Sequence, residues 1–122
     1  APTEIGVFVR TEHQYKRALN AIKKSGNTGV VLNYKLDGDD SSINYGTMHL
    51  AKGLEFRSVA VIACDHDALP LHERMRLFTE EADIEEVERT ERQLLYVACT
   101  RARESLLVTG VGAGSKYLYD LA

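Results

Sequence analysis

At 122 residues, with 44% hydrophobic and 27% charged side chains, the chain is long enough to bury a sizeable core as one domain, and its composition excludes the disordered and fibrous classes. A net charge of −3 excludes a uniformly basic surface, so any contact with nucleic acid must come from a local patch. No apolar run approaches the ~18 residues of a membrane span, no signal-peptide pattern opens the chain, and Cys64 and Cys99 lack paired spacing, so a cytoplasmic, reducing setting with no membrane partner is expected.

Ile5–Val9 is a near-continuous apolar run, the pattern of a strand buried on both faces. Thr11 opens a helix, with Gln14 three residues on in capping-box position. Tyr15, Ala18, Leu19 and Ile22 then form one apolar stripe, and Gly26 supplies the stop. Val30–Leu32 reads as a second strand, and residues 35–42 as a polar loop. Asp37, Asp39 and Ser41 imitate a calcium loop, but Ser42 and Met48 stand where that loop needs Gly and Glu. Ile43–Thr47 is a third strand, followed by a helical turn from about His49 to Leu54, and Val59–Ala63 is a fourth. A long helix is predicted from about Glu80 to Arg103, its early acids suiting the helix dipole. Glu85–Arg89 and Glu88–Arg92 are spaced as i,i+4 pairs, and Leu94, Leu95, Ala98 and Ala102 face the core. Leu106–Thr109 is a fifth strand, and a last helix starts near Ser115. This alternation predicts a three-layer α/β domain over residues 1–122, with a mainly parallel sheet of about five strands.

What the chain lacks narrows its chemistry. No Gly-x-x-x-x-Gly-Lys-Ser/Thr loop occurs, and no apolar strand ends in a paired acid that could hold magnesium. The run Gly110-Val-Gly-Ala-Gly114 misses a dinucleotide fingerprint, because position 115 is Ser. Cys64, His66, Asp67 and His72 match no zinc spacing, so no metal site is expected. Arg101 ends the long helix. By residue type alone it is better read as a C-terminal arginine complementing the dipole than as a cation aimed at a phosphoryl group.

Two runs carry polar groups that a plain core does not need. The first is Gly46-Thr-Met-His-Leu-Ala-Lys-Gly-Leu-Glu-Phe56; the second is Glu91-Arg-Gln-Leu-Leu-Tyr-Val-Ala-Cys-Thr-Arg-Ala-Arg103. In this order they resemble motifs V and VI of the superfamily 1 helicases of the UvrD/Rep type. The resemblance implies that Thr47 and His49 touch single-stranded DNA, that Gly53 and Glu55 belong to the segment whose glutamate binds the ribose of ATP, and that Arg101 is an arginine finger. Val7–Thr11, with Gln14 and Arg17, is similar to motif IV, which implies a γ-phosphate contact for Arg10. Where the family has an aromatic packing on adenine, this chain has Val9. Tyr96 is expected to pack, and Leu69-Pro70 resembles the family's loop after the motif V strand. Gly26 and Thr47 are too close in sequence to admit the helical insertion of large family members, and motifs I to III do not occur.

The resemblance therefore implies the RecA-like second motor domain of an ATP-dependent DNA helicase, a fragment of a larger protein. Its partners would be single-stranded DNA, ATP with magnesium, and an N-terminal motor domain of the same polypeptide that binds most of the nucleotide. A helicase-like module kept for protein binding is the alternative; a free-standing nucleotide-binding enzyme is a third, opposed by the missing phosphate loop.

Overall fold

The computed structural model describes residues 4–32, 42–65, 80–110 and 115–117. Its strands are β1 (Ile5–Val9), β2 (Thr28–Val31), β3 (Ser42–Thr47), β4 (Phe56–Val61) and β5 (Ala102–Val108); its helices are α1 (Tyr15–Lys24) and α2 (Glu81–Thr100). Short 3-10 turns at Glu12–Gln14 and Met48–Leu50 precede α1 and follow β3. The strands form one sheet in the order β2-β3-β1-β4-β5, and every neighbouring pair is parallel. The expected three-layer α/β architecture is therefore the one adopted. Residues 35–41 of the expected loop, the Leu69-Pro70 corner and most of the glycine-rich turn and last predicted helix lie outside the described residues, while Ser42 already belongs to β3.

Strand alternation builds the two cores. Val7 and Val9 project to the face covered by Ala18 and Ile22 of α1. Phe8 projects to the opposite face, against Leu95 and Ala98 of α2. With helices on both sides, β1 and β3 are buried almost throughout, which explains the unbroken apolar run of β1. The edge strand β5 differs: Leu106 and Leu107 remain 45% and 59% exposed.

Helix α1 ends as its glycine foretells. Gly26 takes φ +84°, its N–H bonds to the Lys23 carbonyl, and the Asn27 N–H reaches the Ile22 carbonyl. That pair of bonds satisfies carbonyls left open by the end of the helix. The capping box does not form. Thr11 makes no side-chain cap, and the Gln14 side chain accepts a bond from Arg17 instead, because a 3-10 turn intervenes before α1. On α2 the paired charges also rearrange. Arg89 bonds Glu86 rather than Glu85, Glu88 takes Lys116, and Arg92 lies over the Tyr117 ring at 5.2 Å.

Helix α2 stops at Thr100, short of the expected Arg103. No Gly or Pro marks this end. The Arg101 carbonyl accepts the Phe56 N–H at 2.9 Å, so pairing with β4 draws the chain into β5 directly after the helix. A sheet register, set by tertiary contact, overrides the local helical pattern here. At the end of β4, Ala63 adopts φ 57°, a conformation costly for a residue with a Cβ. It separates Ile62, whose N–H bonds Phe8 of β1, from Cys64, whose N–H bonds the Thr109 carbonyl just beyond β5.

Candidate functional site

Of the residues singled out in sequence, Arg10, Thr47 and His49 lie at or just beyond the C-terminal ends of β1 and β3, the edge where parallel α/β sheets form ligand crevices, whereas Gly53, Glu55 and Arg101 directly precede β4 and β5, at the opposite edge of the sheet. Thr47 is the last residue of β3 and caps the 3-10 turn by position, without a side-chain bond to the turn. The Tyr15 phenol lies beside it. Burial raises the Tyr15 pKa and Glu12 adds to that, while hydrogen bonding with Thr47 opposes both. His49, in the turn itself, is exposed. With Lys52 and Gln93 it walls a shallow cleft of about 260 Å³ whose floor is Met48, Leu94 and Val97.

Arg10, the first residue after β1, is only 5% exposed. Its Nε donates to Glu91 Oε1 at 3.0 Å and its Nη2 to Oε2 at 2.7 Å. Glu91 is itself fully buried, on the face of α2 that carries Val87 and Leu95. The third guanidinium nitrogen, Nη1, lies 3.2 Å from His49 Nε2. Nearby, Arg17 of α1 pairs with Asp65 after β4.

Lys52-Gly53 forms the turn before β4. Gly53 takes φ +82°, a left-handed conformation that disfavours any residue with a Cβ, and the Leu54 N–H bonds the Ala51 carbonyl. Glu55 follows, exposed. Arg101 caps α2 against this turn. Its Nε donates to the Val97 carbonyl at 3.1 Å, its Nη1 to the Leu54 carbonyl at 3.4 Å, and its Nη2 to Thr100 Oγ1 at 3.1 Å. Among the described residues no carboxylate pairs with it, so its charge is held in place but not neutralised.

The structure thus joins Arg10 to His49, and Arg101 to the Gly53–Glu55 segment. It does not join the two arginines. Glu91 and Arg101 are ten positions apart along α2, about 15 Å at 1.5 Å per residue. Tyr96, expected to pack, is 41% exposed, because it lies on the side of α2 away from Leu95. Three residues escaped the sequence reading: Glu91, Gln93 and Asp65. Glu91 had a signal. It interrupts the apolar stripe of Val87, Leu95 and Ala98, and an acid there demands a buried partner.

Cys64 and Cys99 are buried and unbridged. Burial pushes their thiols up to about 12 and about 11. Such thiols are poor nucleophiles and poor metal ligands. The remaining members of the Cys64 cluster, His66, Asp67 and His72, lie outside the described residues.

Comparison with known proteins gives this geometry a lineage. Residues 6–111 match the model of the UvrD-like helicase C-terminal domain. The chain is 40% identical over 72 residues to the ATP-dependent DNA helicase PcrA of Bacillus subtilis, and 35% identical over 72 residues to a "Probable DNA helicase II homolog" of Mycoplasma pneumoniae. Each match covers 59% of this chain but 9% of the relative, so the chain corresponds to a small part of those proteins. Among solved structures, the C-terminal domain of a possible DNA helicase from Lactobacillus plantarum superposes with a TM-score of 0.63 at 23% identity, over 94% of this chain and 60% of that one, which is a likeness of fold. With the family model spanning nearly its whole length, the chain belongs to the UvrD-like helicase C-terminal domain family.

Proposed function

We propose that this chain is the second motor domain of an ATP-dependent DNA helicase or translocase, completing an ATP site shared with a preceding motor domain of the same polypeptide. One observation carries the reading. Arg101 stands at the end of a helix, half-buried, its guanidinium bonded, among the described residues, only to neutral oxygens beside the Gly53 turn. A charge so held suits an arginine finger, since preorganised donors stabilise the charge that develops on a transferring phosphoryl group. Magnesium-bound ATP, held mainly by the preceding domain, supplies that phosphoryl group. Exposed Glu55, next to the Arg101-bonded carbonyl of Leu54, suits the ribose hydroxyls.

Arg10 serves differently in this reading. Its charge is already neutralised by Glu91, and a phosphate approaching it would have to share or displace a buried carboxylate. Arg10 is therefore proposed as a buried anchor rather than a γ-phosphate ligand. Thr47, His49 and the cleft walled by Lys52 and Gln93 form the single-stranded DNA track, where few charges make binding weak and salt-sensitive.

The test is ATP hydrolysis by the full-length protein with and without a single-stranded oligonucleotide. DNA should stimulate turnover, and Thr47→Ala with His49→Ala should lower the stimulation while sparing the unstimulated rate and the melting temperature. A full-length protein with no ATPase activity would instead favour a protein-binding module.

A further inference from the structure

Glu91 lies fully buried on the core face of α2, with both carboxylate oxygens given to one guanidinium. The remaining nitrogen of that guanidinium meets the ring of His49. Arginine only donates hydrogen bonds, so His49 Nε2 must accept, which requires a neutral ring with its proton on Nδ1. His49 itself is exposed on the cleft wall. Arg10, by contrast, cannot swing away without breaking both of its hydrogen bonds to a buried carboxylate. A line of side chains thus runs from the interior of α2 to the surface turn after β3.

We propose that Glu91 is a positioning residue for the DNA-coupled step: it aims Arg10, and Arg10 sets the orientation and tautomer of His49. The proposal rests on the reading of His49 as a DNA contact. It gives that contact a mechanical link to the nucleotide side. Glu91 and Arg101 ride on the same helix, so a displacement of α2 as the ATP site opens or closes carries the anchor of His49 with it.

A double-mutant cycle in the full-length protein tests it, combining Glu91→Gln with His49→Ala and reading the ratio of DNA-stimulated to unstimulated ATPase. Glutamine keeps the shape of Glu91 but sets an amide N–H against an Arg10 N–H. Glu91→Gln should lower the ratio by roughly fivefold or more, about as much as His49→Ala, and the double variant should be no worse than either single one. Glu91→Asp, which keeps the charge, should recover part of the ratio. Losses that multiply in the double variant overturn the proposal, as does an unchanged ratio in a Glu91→Gln protein that melts like the wild type. Should Glu91→Gln not fold, Glu91→Asp replaces it in the same cycle under the same two criteria. If His49→Ala alone leaves the ratio unchanged, the DNA-contact reading fails and takes this proposal with it. If His49→Ala acts but the effects multiply, only the role of Glu91 is lost.

Discussion

Arg10 follows β1, is 5% exposed and gives two N–H groups to the carboxylate of Glu91. Arg101 follows α2, is half-buried and gives its N–H groups to oxygens of Val97, Leu54 and Thr100, all uncharged. The two side chains are chemically identical, and the difference lies in what surrounds them. Around Arg10, low dielectric and a bidentate partner make a pair that neither member can leave cheaply. Around Arg101, the carbonyl end of a helix favours a cation without cancelling it. The first arrangement stores stability and orientation. The second keeps a positive charge in fixed geometry, available to an anion that arrives from outside the domain. Motif likeness assigns both arginines to the nucleotide; in our proposal their surroundings give them different roles.

The sharpest way to break this comparison is at Arg101. In the full-length protein Arg101→Ala should cut ATP hydrolysis by ~10³–10⁵ while leaving nucleotide binding largely intact. A loss below about tenfold would return Arg101 to the role of a helix-end cation. Arg101→Lys should rescue poorly, because an ammonium lacks the planar fork that now spans Val97, Leu54 and Thr100.

Arg10 should give the opposite signature. Arg10→Ala removes the bidentate guanidinium from the buried Glu91 carboxylate and should destabilise the fold by about 3–5 kcal/mol in urea denaturation. Replacing both partners with apolar residues, Arg10→Met with Glu91→Leu, should regain most of that loss. If the double replacement is as unstable as Arg10→Ala, the cost lies in packing and not in the uncompensated charge.

The smallest effect belongs to the turn beneath Arg101. Gly53 takes φ +82° with open space where a Cβ would stand, so Gly53→Ala meets backbone strain and no clash. It should cost about 1–2 kcal/mol. A cost near zero would mean that the turn relaxes readily, and that the Leu54 carbonyl is not a firm support for the Arg101 guanidinium.

Much of this molecule is legible in one sequence. The apolar run of β1, the stripe of Tyr15, Ala18, Leu19 and Ile22, and the stop at Gly26 each report a local property: strand burial, helical period, or a left-handed residue. The runs around Thr47–Glu55 and Glu91–Arg103 point to the family, because their polar residues sit at spacings a plain core does not need. Local patterns misled where tertiary contact competed. Thr11 and Gln14 have the spacing of a capping box, yet Gln14 bonds Arg17. Helix α2 has no stop residue, yet it ends at Thr100 because β4 captures the Arg101 carbonyl.

The sequence by itself determined the layered α/β class and the parallel sheet, since periodicity is a property of neighbouring residues and survives without coordinates, and its two motif-like runs carried the resemblance to the family. Only the tertiary structure decided what the charged residues do. Arg10 and Glu91 are 81 positions apart, and nothing local to either names the other. Their pairing exists because β1 and α2 pack across one core, where a buried charge must find its opposite and thereby fixes the histidine beside it.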